Sequence, residues 1–459
     1  MGLRILHAIH DFLPRHMAGS EIYAYELARE LALNHDVSIL TAEFDATAPH
    51  GAIRWRKYDA LPVIEIVNNW RVDRFEETYR SPRLNTQLAH VLDIARPDVL
   101  HVHNLLNLSF DLPRLARERS IPCVATLHDY TLVCASGGQR VHVAESHVCD
   151  VIDTARCARC FRQSPFQTLI AGGAIAGGPV GRLVARAGMR AKARLPRVAD
   201  AALRRIPVAA ASTEDLSRRL SYARHVFDTV DLFVAPSAAL ASEYLRLGLD
   251  PARIRVSGYG FPPAARVARE PSSGPLRIGF VGTIIWHKGA HVLLEAARTL
   301  TGAFELLVFG DPRVDPEYFA GLRRQAVGLP VRFLGAFDRA DMPRAYGSLD
   351  VLVVPSLWPE NAPLVIQEAF MHGVPVVGAR MGGIPEFVDH GVNGMLYEAS
   401  SPVALAAALQ PFLDDRELAT RLAAHLRPVK TIAQDAREWE ARYAEVTDGA
   451  ARVSRDHIA

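Results

Sequence analysis

A strong charge bias is the first thing this 459-residue chain lacks. Its 52 Lys and Arg against 50 Asp and Glu leave a net charge of +2, so no basic footprint points to nucleic acid. Cysteine is scarce, at five residues, which excludes a disulfide-built scaffold. No uninterrupted run of about 18 strongly apolar residues occurs, so no membrane-spanning helix is expected. The opening segment, Met1 to His10, has no small-residue cleavage site and sets Arg4 and two histidines in a short apolar alternation. It reads as a first strand and not as an export signal, which makes a cytoplasmic protein the expectation. What is present, 49% hydrophobic residues over this length, suffices for two domains with their own cores.

In the amino-terminal half, strand patterns at Arg4 to Ile9, Val37 to Thr41, Val99 to Val102 and Cys123 to Leu127 alternate with helical stretches such as Leu84 to Ala95. That rhythm predicts a parallel sheet. The first strand leads through Pro14 to Glu21, where Gly19 lets backbone approach a ligand, into a helix marked by Ile22, Tyr25, Leu27 and Leu31. The Cys123 strand ends in Leu127-His128-Asp129-Tyr130, and a histidine at the carboxyl end of a strand can reach a ligand. His101 and His103 share one face of their strand, which could be core or cleft, and the structural reading is favoured. A strand at Asp231 to Ser237 closes this half.

Two unusual segments interrupt it. Cys134, Cys149, Cys157 and Cys160 hold four of the five cysteines, the last two at C-x2-C spacing. In a reducing compartment such a group suits a structural zinc ion, although free thiols in a loop are the alternative and His142 and His147 compete as ligands. From Ser164 to Pro207 the chain is rich in Ala, Gly and Arg, with Arg182, Arg186, Arg190 and Arg197 almost without acids. This stretch is either a surface for anionic lipid headgroups or a solvated helical insertion.

In the carboxy-terminal half, Leu276 to Val281 starts a second sheet, and Gly282-Thr283 opens a loop to Lys288, a cation suited to a diphosphate. Strands at Phe304 to Phe309, Val331 to Leu334, Val351 to Val354 and Val374 to Val377 continue the alternation. After the third of these come Glu360 and, seven residues between, Glu368, with Pro359 and Pro363 favouring a helix that starts near Asn361. Then follow Gly382-Gly383-Ile384-Pro385-Glu386, suited to close approach by a phosphate, and Gly391 to Gly394.

Glu360 to Glu368 resembles the E-x7-E signature of the family 4 retaining glycosyltransferases, and Lys288 to Gly394 matches that family's motifs in order. The resemblance implies a GT-B architecture of two Rossmann-like α/β domains facing a central cleft, with a last helix crossing back. Residues 1–262 would form the acceptor domain, with 131–225 as a cysteine-bearing and basic insertion of a kind found in a subset of the family. Residues 263–275 would be the linker, 276–432 the nucleotide-sugar domain and 433–459 the returning helix.

By the same resemblance, Lys288, Gly282, Thr283, Gly382 and Gly383 would hold the leaving diphosphate and Glu368 the ribose. Glu360 and His128 would meet the transferred sugar, and Gly19 would lie between donor and acceptor. Two departures stand out: Ala18 replaces the first glycine of a Gly-Gly pair, and Thr283 replaces an arginine. Arg313 or Arg380 are the candidates to compensate for that lost charge. The expected partners are a nucleotide-diphosphate sugar and a glycan or lipid-linked acceptor, with no nucleic acid and no catalytic metal. The expected setting is polysaccharide or glycolipid assembly, the protein being cytoplasmic or peripheral at the inner-membrane surface. The alternatives are a non-catalytic sugar-nucleotide-binding protein, or an epimerase or phosphorylase of the same architecture.

Overall fold

The computed structural model describes residues 2–175, 211–264 and 274–456, with backbone alone at 175 and 450–456. The Arg-rich stretch from Arg182 to Arg205 and most of the expected linker lie outside the described residues.

Two separate sheets organise the chain. The first contains β1 (Arg4–Ile9), β2 (Asp36–Glu43), β3 (Ile53–Tyr58), β4 (Leu61–Val67), β5 (Val99–Val102) and β6 (Cys123–Thr126). A small antiparallel hairpin follows, β7 (Val141–His142) and β8 (His147–Val148), and then β9 (Leu232–Ala235) and β10 (Ile254–Val256) complete the sheet. Its order is β10-β9-β6-β5-β1-β2-β4-β3, parallel except for the edge hairpin β3–β4. The sequence analysis missed that hairpin, whose turn holds Asp59 at φ 53°. Its outer strand is half-exposed and charged, which removes the apolar run that marks the buried strands.

The second sheet contains β11 (Leu276–Val281), β12 (Phe304–Phe309), β13 (Val331–Gly335), β14 (Val351–Val354), β15 (Val376–Ala379) and β16 (Gly394–Tyr397). It is parallel throughout, in the order β13-β12-β11-β14-β15-β16. Strands such as Val351-Leu352-Val353-Val354, buried at every position, are continuous apolar runs because helices cover both faces.

Each sheet has its own core, and the amino-terminal sheet has a second apolar layer that the carboxy terminus completes. The last helix, Ile432–Asp456, places Ile432, Ala436, Trp439 and Tyr443 against Ile5, Ile9, Leu27 and Val99. The two chain ends are thereby packed into one domain. Polar contacts fix the approach: Trp439 Nε1 donates to the Tyr23 hydroxyl at 3.0 Å, which donates to Asp435 at 2.8 Å.

Two boundaries near the site differ from the expectation: β15 starts at Val376 and not at Val374, and the Glu368 helix starts late. The helix carrying Glu368 is Leu364–Met371, and Asn361 to Pro363 form an ordered loop ahead of it. Pro363, at φ −65° and ψ 114°, stands as the cap residue, so the extended backbone lasts three residues longer than the proline pattern suggested.

Candidate active site

Both parallel sheets end their strands toward the space between the domains, the edge where ligands bind in open α/β sheets. On the carboxy-terminal side, the loop after β11 carries Lys288 and the loop after β14 carries Glu360. Lys288 Nζ donates to Glu360 Oε1 at 2.6 Å, and the Ser356 hydroxyl donates to the same oxygen at 2.6 Å. Glu360 is buried, and Lys288 lies 5.2 Å from the centre of the Trp358 ring. A buried carboxylate of this kind persists because a cation and a hydroxyl satisfy it.

The Gly382-Gly383 turn sits directly against this pair. Gly383 N donates to the Glu360 carbonyl at 2.6 Å, and a Cβ on Gly382, whose φ is +54°, would stand 2.3 Å from that oxygen. A Cβ on Gly383 would stand 2.0 Å from the Asn361 carbonyl. Only glycine permits this contact, which brings two loops, one beside each carboxylate-bearing segment, into a single surface.

Glu368, on the helix behind, accepts a hydrogen bond from the Tyr346 hydroxyl at 2.6 Å. Burial pushes its carboxyl above the usual range, with Tyr346 and then Arg339 opposing. Gly282 lies at the end of β11, its amide bonded to the Phe309 carbonyl at 3.1 Å. Thr283 is exposed and brings no charge. The two arginines considered as compensation stand apart: Arg313 is exposed and paired with Asp311, and Arg380 is exposed at the end of β15.

The amino-terminal side is built from neutral imidazoles. His7 Nδ1 lies 2.8 Å from His103 Nε2, His103 Nδ1 lies 3.0 Å from His128 Nε2, and His128 Nδ1 lies 2.8 Å from the Tyr259 hydroxyl. Alongside, His101 bonds to the Tyr443 and Thr126 hydroxyls at 2.7 and 2.8 Å. Desolvation depresses all four, His7 and His128 to about 3. Both ring nitrogens of His128 are therefore engaged inside its own domain. It faces the carboxy-terminal domain through its carbonyl, which accepts from Asn361 Nδ2 at 2.6 Å. Contact between its ring and a sugar requires one of those partners to be exchanged.

Gly19 lies across the cleft from Leu364, whose Cδ1 would be 3.0 Å from an added Cβ. Glu21, two residues on, accepts from Ala18 N at 3.1 Å and lies 3.3 Å from His10 Nε2. Two further residues tie the domains together. Glu386 accepts from Ala238 N and Ala239 N at 2.7 Å each, capping the helix Ala238–Arg246 from the opposite domain. Arg339 donates to buried Glu26 in the helix Gly19–Leu31. The Gly-Gly-x-Pro-Glu run pointed toward Glu386, whereas nothing local marked Arg339.

Cys134, Cys149, Cys157 and Cys160 gather near the hairpin β7–β8, and these and Cys123 on β6 are all free. Burial raises the Cys157 thiol to about 12, with Cys134, Cys149 and Cys160 adding to it. Among the described residues, however, the metal-ligating side chains that approach within 4.8 Å in sets of three or more are His7, His101 and His103, and His10, Asp11 and Glu21. The four sulfurs form no such set. A tetrahedral zinc with sulfurs at about 2.3 Å would draw these four side chains closer together. No helix among the described residues is long and apolar enough to cross a membrane.

Residues 275–415 match the family model described as "Glycosyl transferases group 1", and residues 17–148 match "Glycosyltransferase Family 4", together more than half of the chain. A D-inositol 3-phosphate glycosyltransferase of Corynebacterium glutamicum is 31% identical over 194 residues, covering 38% of this chain and 46% of that protein. The amylovoran biosynthesis glycosyltransferase AmsK of Erwinia amylovora is 28% identical over 211 residues, 42% of this chain and 52% of that one. The chain thus spans about half the length of these curated relatives. Among solved structures, Anabaena HepE in complex with UDP and glucose aligns with a TM-score of 0.59 at 17% identity, over 99% of both chains. With two parallel sheets facing one cleft, this likeness over the full length gives the fold as GT-B. The ordered motifs at the cleft and the two matching models lead to one conclusion, that the chain belongs to glycosyltransferase family 4.

Proposed function

We propose that this protein transfers a sugar, with retention of configuration, from a nucleotide-diphosphate donor to a hydroxyl of a glycan acceptor, free or lipid-linked, in polysaccharide or glycolipid assembly. The observation that carries this reading is the Lys288–Glu360 pair lying against the Gly382-Gly383 turn, with Glu368 on the helix behind. Departure of a diphosphate builds negative charge on its oxygens, and a fixed ammonium with backbone N–H groups is the arrangement that stabilises it. Glu360 then exchanges its bond to Lys288 for the hydroxyls of the transferred sugar, and Glu368 accepts from the ribose hydroxyls. The acceptor oxygen bonds to the anomeric carbon, the bond from that carbon to the diphosphate breaks, and the hydroxyl proton leaves with the diphosphate.

No step uses a metal ion, since Lys288 supplies the positive charge. A structural zinc on Cys134, Cys149, Cys157 and Cys160 would require those side chains to turn toward one another and takes no part in the reaction. Stoichiometric zinc in the purified protein, lost in a Cys157→Ser, Cys160→Ser variant, would show that they do.

The test is a thermal-shift and hydrolysis screen with UDP-, GDP-, ADP- and dTDP-sugars, with Glu368→Ala beside the wild type. Stabilisation and slow hydrolysis with one nucleotide, with binding weakened about tenfold to a hundredfold in the variant, is the expected result, the size of a lost charged hydrogen bond. Proton NMR of the first-formed product reads the configuration, and an inverted product overturns retention. Binding without any turnover would favour a sugar-nucleotide-binding role, the reading suggested by Ala18 and Thr283.

A further inference from the structure

Beside the carboxylate pair the domains enclose a cleft of about 1060 Å³ that runs from Pro359 and Gly382 out past the hairpin β7–β8. Its walls come from three places. The hairpin contributes His147 to Asp150, the amino-terminal helix Ala238–Arg246 contributes Glu243 and Arg246, and the carboxy-terminal domain contributes Trp286 and Glu295. Val148 packs against the cores of both domains, so the cysteine-bearing insertion is a fixed wall of this space.

The charge on those walls is specific. Among the described lining residues, the carboxylates are Asp150, Glu243 and Glu295, and the guanidiniums are Arg140 and Arg246. Both arginines are spent on one acid: each bonds to Glu243, and Arg140, buried, also donates to the Asp150 carbonyl at 2.5 Å. Glu243 thus draws both guanidiniums to itself, and along these walls acids outnumber arginines by one. Trp286 and His291, stacked on each other with ring centres 6.3 Å apart, add aromatic surface.

We infer that the part of the acceptor seated in this cleft is an uncharged saccharide, held by aromatic faces and by hydroxyl bonds to carboxylates, and that phosphorylated sugars are turned away. A phosphoryl group here would meet three carboxylates and would compete with Glu243 for the two arginines, and like charges brought together cost binding. A neutral sugar offers hydroxyl donors to those same carboxylates and C–H faces to the aromatic rings. This inference rests on the glycosyl-transfer reading, which places the reacting hydroxyl beside Glu360.

The experiment uses the full chain and the donor that the screen identifies, with neutral alkyl hexosides and the corresponding hexose 6-phosphates as acceptors. Transfer and donor hydrolysis are measured together. The expected result is kcat/KM for neutral acceptors higher by roughly tenfold or more, equivalent to about 1.4 kcal/mol. Glu243→Gln, which releases Arg140 and Arg246, should shift the preference toward the phosphates. Glu295→Gln, at an exposed position on the facing wall, should shift it less in the same direction and serves if the first variant does not fold. A protein that cleaves its donor yet glycosylates phosphorylated acceptors as well as neutral ones, or no neutral acceptor at all, overturns the inference. So does an acceptor preference unchanged in both variants. Failure to bind or cleave any donor counts instead against the glycosyl-transfer reading itself.

Discussion

The two domains present the same edge of the same kind of sheet to one cleft, yet they furnish it with opposite chemistry. The carboxy-terminal edge holds formal charge, Lys288 against Glu360, with glycine turns packed so closely that no side chain fits. The amino-terminal edge holds imidazoles kept neutral by burial and joined ring to ring from His7 through His103 to His128. A leaving diphosphate needs fixed positive charge, whereas a neutral acceptor needs hydrogen-bonding partners. The glycosyl-transfer reading divides the work along that line.

The comparison breaks most severely where the neutral side is held up by the last helix. Trp439 is buried with its ring 4.1 Å from that of His101 and its indole nitrogen on Tyr23. Trp439→Ala should cost about 3–5 kcal/mol of stability, the range for a large aromatic removed from a core. Urea unfolding measures it, and a loss below about 1 kcal/mol would mean that the helix does not secure the histidines.

On the charged side, Lys288→Ala should lower turnover of the donor by about 10²–10³-fold, the effect of deleting one preorganised stabiliser of a developing anion. Thermal stability should fall as well, because Glu360 is left buried with the Ser356 hydroxyl and no cation. Single-turnover kinetics separates the two effects, and an unchanged chemical step would remove Lys288 from the reaction.

Acid sharpens the contrast as well. Burial holds the folded-state pKa of His7 and His128 near 3, below the 6.5 of an ordinary histidine, and depresses His101 and His103 as well. Between those values the unfolded chain binds more protons than the folded one, so stability is greatest above about pH 6.5 and falls as the pH drops through it. The slope approaches roughly 1.4 kcal/mol per pH unit for each histidine. Unfolding midpoints at pH 7.5 and 5.5 report it, and equal midpoints would show that these rings are protonated in the folded protein.

Legibility in the sequence followed range. Glu360 and Glu368 lie eight residues apart, on a loop and the helix after it, and Gly382 to Glu386 form one turn, so local spacing carried them. Their pattern led to the right segment even though the helix starts at Leu364 and not near Asn361. Arg339 carries no local mark because its partner Glu26 is 313 residues away. His101 and His103 read as core from their alternation, and they are core, but their union with His7 and His128 is a property of strand order. The cysteine spacing marked four thiols that come near one another in the fold, but spacing along a chain does not set the distance between sulfurs.

The sequence by itself determined the elements and the turn chemistry: buried strands as apolar runs, glycines where two backbones touch, a lysine and a glutamate in loops after strands and a second glutamate on the helix that follows. These are short-range matters, decided by neighbours within about a dozen residues. Only the tertiary structure decided that Lys288 closes on Glu360, 72 residues away, and that Glu386 caps a helix in the opposite domain. It also decided that an inserted hairpin walls the cleft. Such contacts depend on how two sheets and a returning helix pack, which is set by the summed burial of many side chains and not by any one stretch of the chain.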